Sequence, residues 1–277
     1  MDRLGVAERI QVSLLNVMEE RDIQVRGYTL RLPLDVLLVA SANPEDYTNR
    51  GRIITPLKDR FGAEVRTHYP LELTDELAVM GQEADLVAPV PMFLLEILAR
   101  FTRALRESSA VDQGSGVSAR FSVAAATVSA ALRRAAVAGE PHATARPVDL
   151  ESVPDVLRGK LEFASGEEGR EAETLTHLLR RATADTARAR LRGLDLTPLA
   201  EAVSRSPVRT GERVPAAVVV SALPRVAVLT EIARRLDAGG TEDPGPMASA
   251  AELALEYLFL TRKLAKDESD DETVTYG

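Results

Sequence analysis

Cysteine is absent from the 277 residues, and the three histidines show no spacing typical of a metal pair. The chain therefore forms no disulfide, binds no metal through thiolate and has no cysteine nucleophile. No apolar run approaches the roughly 20 residues that cross a bilayer, and the first residues mix charged with apolar side chains, so neither a signal peptide nor a transmembrane helix is predicted. These absences favour a cytoplasmic protein with no membrane contact and no metal site.

Positive charge is also scarce, because 34 Lys and Arg face 42 Asp and Glu and leave a net charge of −8. Such a balance argues against a protein whose main task is to neutralise nucleic-acid phosphates. Hydrophobic residues make up 45 % of the chain, charged residues 27 % and aromatic residues only 4 %. This composition is typical of a soluble, mostly helical protein, and the length favours two or more domains.

The first 71 residues show both helical and strand periodicity. Apolar residues recur at helical spacing over Val6–Met18, and alternation around a turn over Ile23–Leu34 predicts a β-hairpin. The continuous apolar run Val36–Ala40 predicts a central strand covered on both faces, and Ala63–Thr67 predicts one more strand. Residues 1–71 are therefore interpreted as part of an α/β domain.

After Pro70 the strong patterns are all helical. Thr74 is the predicted cap of a helix that runs through Leu86, and further helices are predicted from apolar periodicity. Gly139 is expected to end one of them. These predicted helices are Met92–Leu105, Ser118–Ala138, Gly169–Leu191, Pro198–Val203, Ala222–Leu236 and Met247–Lys266. We divide this part into a helical domain at 72–145, a helical extension at 146–266 and an acidic tail at 267–277 that is expected to stay solvated.

Four segments in order resemble the second half of an AAA+ core. They are Gln11–Glu20, Ile23–Gly27, Val39–Pro44 and Leu57–Gly62. The hairpin before the third segment and the sequence Asp-Arg-Phe-Gly in the fourth look like the ATPase subunit of magnesium chelatase and its MoxR relatives. The resemblance implies a mixed α/β and all-α chain: an incomplete AAA+ α/β core at 1–71, a helical lid at 72–145 and a helical carboxyl-terminal region.

The resemblance assigns candidate roles to three residues. Asn43 takes the position of a sensor that orients the attacking water, with the simple start of a turn as the alternative. Arg60 takes the position of an arginine finger that acts on a neighbouring subunit's nucleotide, with a surface ion pair to Asp59 or Glu64 as the alternative. Arg120 resembles a second sensor that contacts the γ-phosphate, and an exposed arginine at a helix start is the alternative.

Two phosphate-handling elements of this family are missing from the sequence. No Gly-x-x-x-x-Gly-Lys-Ser/Thr pattern occurs, and the single Gly-Lys pair, Gly159-Lys160, is followed by Leu161. The acidic pair Asp75-Glu76 is expected to open a helix, where carboxylates favour the positive end of the dipole, and not to hold magnesium. We therefore expect that the chain neither binds nor hydrolyses ATP alone.

The resemblance further implies ATP and Mg²⁺ as cofactors, assembly into a homo- or hetero-oligomeric ring, and, as is often found in the family, a partner with a von Willebrand factor A domain. It leaves open whether the ring inserts a metal or remodels proteins. A second hypothesis is a non-enzymatic ring or adaptor subunit that donates Arg60 to a complete neighbour. A third is a fragment whose phosphate-binding half is encoded immediately upstream.

Overall fold

The computed structural model describes residues 8–25, 27–31, 37–41, 55–111, 119–239, 243–269 and 273–277. The chain divides into two compact units, Met1–His68 and Tyr69–Gly277. Helix accounts for 58 % of the structure and strand for 9 %, with small sheets. The prediction of a mixed but mostly helical chain is confirmed at this level.

In the first unit, helix α1 (Glu8–Glu19) leads into strands β1 (Asp22–Val25) and β2 (Tyr28–Arg31), and helix α2 (Thr55–Arg60) follows. The strands pair antiparallel, with Val25 opposite Tyr28. Gly27 has φ +84 there, a conformation that favours glycine and suits tight hairpins. The predicted first helix and hairpin are confirmed.

The two other strands predicted in this unit are not formed. Residues 37–40 lack strand structure and are exposed, with Leu37 at 89 %, and Val65 in the second segment is 85 % exposed. A strand needs neighbours to pair its backbone groups. In the described part of this unit the sheet consists of β1 and β2, which pair with each other. The apolar run was therefore wrongly predicted as a buried central strand.

The second unit is built mainly from helices. They are α3 (Leu73–Glu83), α4 (Met92–Glu107), α5 (Ala119–Ala138), a 3₁₀ helix (Pro147–Ser152), α6 (Val153–Arg158), α7 (Glu171–Arg190), α8 (Thr197–Arg205), α9 (Ala216–Ala222), α10 (Ala227–Arg235) and α11 (Pro244–Leu260). Strands β3 (Val208–Gly211), β4 (Lys266–Ser269) and β5 (Thr273–Tyr276) form an antiparallel sheet in the order β3-β5-β4.

Helix α4 lies at the centre of this unit and packs along α7. Phe93, Ile97 and Phe101 recur every four residues and are buried, so they form one stripe facing the core. Burial of each such side chain stabilises the unit by about 1.5–3 kcal/mol relative to exposure. The same core includes residues from α11 and β5, so the chain does not divide at the boundary predicted near residue 145.

The helix ends follow the sequence signals in part. Helix α3 begins at Leu73 and has Glu72 as its cap residue, so Thr74 lies inside the helix and the predicted cap is wrong. Asp75 and Glu76 do occupy the first turn, where the dipole favours carboxylates. Gly139 ends α5 with φ +68, and the backbone N–H of Glu140 donates to the carbonyl of Ala135 at 2.8 Å.

The acidic end of the chain is part of the fold, which corrects the prediction of a solvated tail. Strand β5 is the central strand of its sheet, and Thr273, Val274 and Tyr276 are buried. The acidic residues Asp267 and Glu268 lie on the outer strand and face solvent. The prediction considered the acidic run and missed the four residues after it, whose β-branched and aromatic side chains favour a strand.

Helix α5 is long and apolar enough to span a membrane by length and composition alone. Its side chains Val123, Thr127 and Ala131 are buried inside the second unit. The helix also carries Arg134, which is buried among carboxylates of the same unit. These contacts are those of a core helix in a folded domain.

Candidate functional site

Arg60 is the last residue of α2, in the first unit, and 44 % of its side chain is exposed. Its guanidinium contacts the carboxylate of Glu19, the last residue of α1. The predicted alternative partners were Asp59 and Glu64, but Glu64 instead pairs with Arg66 at 2.9 Å. Arg60 therefore does form an ion pair, with a partner that lies forty-one positions earlier in the chain.

The ion pair between Arg60 and Glu19 contributes little to stability, because water reaches both side chains. Both side chains are about two-fifths exposed, and ion pairs of that kind contribute about 0–1 kcal/mol. Helix α2 is anchored underneath by Leu57, which is fully buried. Arg60 therefore lies at the end of an anchored helix, and little free energy is needed to break its ion pair with Glu19.

Asn43 lies outside the described residues. Its assignment as a sensor stays a prediction from the sequence. Arg60 and Arg120 belong to different compact units.

Arg120 lies in the first turn of α5, as predicted, but its charge is already paired within the chain. Its Nη1 donates to Glu76 at 3.3 Å, and Arg106 donates to the same carboxylate at 2.7 Å. Glu76 is fully buried, and the guanidinium of Arg106 stacks over the ring of Tyr69 at 4.1 Å. Two helices are tied to α3 through this one carboxylate.

The surroundings of Arg120 do not match the expected exposed arginine either. Only 14 % of its side chain is exposed, and its guanidinium lies 4.7 Å from the ring centre of Phe121. Its Nε is buried and has no hydrogen-bond partner among the described residues. To hold a phosphate, Arg120 would have to leave Glu76, whose buried carboxylate would then keep only Arg106.

The most heavily charged buried region lies elsewhere in the second unit. Arg134 on α5 donates to Asp149 of the 3₁₀ helix at 3.0 Å and to Glu140 at 2.6 Å. Arg146 donates to Glu252 on α11, and its backbone N–H donates to Asp149 at 2.7 Å. Every one of these side chains is buried. The network joins α5, the 3₁₀ helix and α11.

Burial shifts the protonation of this network. It raises the pKa of Asp149 from 3.8 to about 6, although the nearby guanidinium of Arg134 acts in the opposite direction. For Arg134, burial lowers the pKa, but the carboxylates of Asp149 and Glu140 outweigh it and the net direction is upward. Arg134 therefore stays charged, and the pKa of Asp149 lies well above the usual value of an aspartate.

The sequence holds a signal for these buried charges that was missed. Arg134 follows Thr127 and Ala131 at helical spacing, on the face of α5 that is otherwise small and apolar. Glu252 lies four residues after Ala248 and three before Leu255 on the buried face of α11. A single charge inside an apolar helical stripe indicates a buried ion pair, since an unpaired charge there would be very costly.

Searches against models of known protein families, curated protein sequences and solved structures found no match. Among the residues that the structure describes, no three His, Cys, Asp or Glu side chains come close enough to hold a metal ion together.

Proposed function

We propose that this chain is a subunit of an AAA+-type ring, of the magnesium-chelatase and MoxR kind, and that it contributes Arg60 to the nucleotide site of a neighbouring subunit. The observation that carries the proposal is the exposed guanidinium of Arg60 at the end of α2, within Asp59-Arg60-Phe61-Gly62. The ordered sequence resemblance from Gln11 to Gly62 supports it.

A finger arginine must be accessible from outside its own subunit, and its guanidinium must be able to leave any ion pair that it forms within that subunit. Arg60 meets both conditions, because it is exposed and its bond to Glu19 contributes about 0–1 kcal/mol. A guanidinium placed on a transferring phosphoryl group spreads positive charge over its oxygens as the transition state forms. Loss of the Glu19 contact is small beside that gain.

The described residues do not fit ATP and Mg²⁺ by themselves. No phosphate-cradling glycine loop occurs in the sequence, and Arg120 is bonded to Glu76. The proposal therefore assigns the phosphate cradle and the magnesium ligands to residues outside these 277, whether in a longer polypeptide or in another subunit. The ring's work, either metal insertion or protein remodelling with a von Willebrand factor A partner, belongs to the same proposal.

A complementation assay tests the finger role directly. An intact AAA+ subunit of this type is prepared with its own finger arginine replaced by alanine, so that its rings bind ATP but hydrolyse it slowly. Addition of the present chain is expected to restore hydrolysis through Arg60. Fingers supplied in trans contribute about 10³–10⁵ in kcat in related phosphoryl-transfer systems, so even partial mixing gives a measurable gain.

Three variants make the assay specific. Arg60→Ala is expected to abolish the gain, and Arg60→Lys to keep little of it, because an ammonium lacks the planar fork of a guanidinium. Arg66→Ala, which removes an exposed arginine of the same unit, is the matched control and should restore hydrolysis as the wild type does. Equal hydrolysis with wild type and Arg60→Ala, in rings shown by light scattering to contain both chains, would refute the finger role.

A further inference from the structure

A cavity of about 230 Å³ lies in the second unit, between the 3₁₀ helix, α7, α11 and the three-stranded sheet. Leu150, Leu179 and Val274 contribute apolar surface to its wall. An apolar cavity of about 150 Å³ already accepts benzene, so this one accommodates a small organic molecule of somewhat larger size.

The charged side chains around the cavity are unbalanced towards the negative. Four carboxylates face two cationic groups, Glu151, Glu252, Glu256 and Glu268 against Arg180 and Lys266. Lys266 is shared among three of these carboxylates, with its Nζ 3.3 Å from Glu256, 3.8 Å from Glu268 and 3.9 Å from Glu151. The ammonium group of Lys266 is therefore compensated by these three carboxylates, and it is they, and not Glu252, that it contacts.

Glu252 supplies an independent sign that a ligand belongs here. The residue is 2 % exposed and lines the cavity. Its Oε1 accepts hydrogen bonds from Arg146, whereas its Oε2 is buried and has no hydrogen-bond partner among the described residues. A buried carboxylate oxygen without a donor destabilises the fold, because it has lost its hydrogen bonds to water and has formed none within the protein.

We propose that this cavity binds a small aliphatic amine as its ammonium ion. The ammonium donates to Oε2 of Glu252 and offsets the excess of carboxylates, while the hydrocarbon part packs on Leu150 and Leu179. Arg146, Arg180 and Lys266 compensate only part of the charge of the four carboxylates, so an anion would be repelled and a neutral molecule would bring no positive charge to Oε2 of Glu252. The site lies wholly within the second unit and is independent of the role proposed for Arg60.

Calorimetric titration of the full chain near neutral pH and at low salt tests this assignment with three probes of equal length. n-Butylamine is expected to bind with one molecule per chain, whereas butan-1-ol and butyrate are expected not to. Butanol binding as tightly as the amine would mean an apolar cavity without charge selectivity. No heat of binding with the amine at millimolar concentration would mean that only water donates to Oε2. Either of these two results overturns the proposal.

Variants locate the site. Glu252→Gln is expected to weaken amine binding by about tenfold or more, because the ammonium then meets a neutral amide in place of a charged acceptor. Since that change also alters the bond from Arg146, two exposed positions give a second test that does not depend on the core. Arg180→Gln should strengthen amine binding several-fold and Glu268→Gln should weaken it. Unchanged affinity in both would overturn the assignment even if Glu252→Gln failed to fold.

Discussion

Replacement of Arg134 by methionine should destabilise the second unit far more than the loss of any surface arginine. Methionine keeps much of the length and apolar stem of the side chain while removing the guanidinium. The guanidinium makes four hydrogen bonds, to both oxygens of Asp149, to Glu140 and to the carbonyl of Thr144. Without it, two buried carboxylates lose their guanidinium partner and a buried carbonyl loses a donor, and only the backbone N–H groups of Arg146 and Ala216 still donate to Asp149 and Glu140.

The expected magnitude follows from burial. Removal of one partner from a buried ion pair typically costs about 3–5 kcal/mol, because the remaining charge is left uncompensated in a low dielectric. For a folded unit of about 200 residues, each kcal/mol lowers Tm by about 2–4 °C, so the melting temperature should fall by about 6–20 °C. Arg133→Ala, one position earlier on α5, removes a guanidinium that is 55 % exposed and paired with Glu212, and should cost less than about 1 kcal/mol.

Urea unfolding followed by circular dichroism measures both variants under the same conditions. The fluorescence of tyrosine gives a second probe, which checks that each unit's transition is resolved. If Arg134→Met and Arg133→Ala lie within 1 kcal/mol of each other, buried charge pairing does not stabilise this unit and the reasoning is refuted.

Three other predictions concern single residues. Burial raises the pKa of Asp149 to about 6, so the folded chain holds its proton more tightly than the unfolded chain. This contribution to stability approaches its full size below about pH 4 and is lost as pH rises through 6. Asp149→Asn should remove about 2 kcal/mol of the change in unfolding free energy that urea denaturation measures between pH 4 and 7. Glu19→Gln should leave the finger activity of Arg60 equal or higher in the complementation assay, and a loss would show that the ion pair is required. Gly139→Ala should cost about 1–2 kcal/mol by thermal unfolding, because the residue has φ +68, whereas Gly81→Ala, inside α3, should not destabilise.

The helices of the second unit were predictable because the apolar periodicity that identifies each helix lies within its own segment. In α4, apolar residues recur along sixteen positions, and the prediction Met92–Leu105 differs from the observed end by two residues. Long, strongly periodic segments bury one face wherever they pack, so the pattern identifies the helix without knowledge of its neighbours. The exact end depends on contacts that periodicity does not contain.

Strands depended on partners that the local pattern does not reveal. The run Val36–Ala40 has the composition of a buried strand, yet the described residues 37–40 are exposed and unpaired as a strand. Conversely β5, at residues 273–276, pairs with β3, more than sixty residues earlier in the chain. A segment becomes a strand only when another segment supplies hydrogen-bond donors and acceptors. The local pattern does not show which distant segment will do so.

The two arginines assigned roles by the same family resemblance differ in how much free energy would release them. Arg60 is paired with a carboxylate that water still reaches, so the pair contributes about 0–1 kcal/mol and its charge is available to another molecule. Arg120 is paired with Glu76, from which water is excluded, and freeing it would leave that carboxylate to Arg106 alone. Such a separation costs several kcal/mol. Motif position nominates both residues equally, but the solvent exposure of the partner carboxylate decides between them, and it favours Arg60 as the residue that acts outside its own fold.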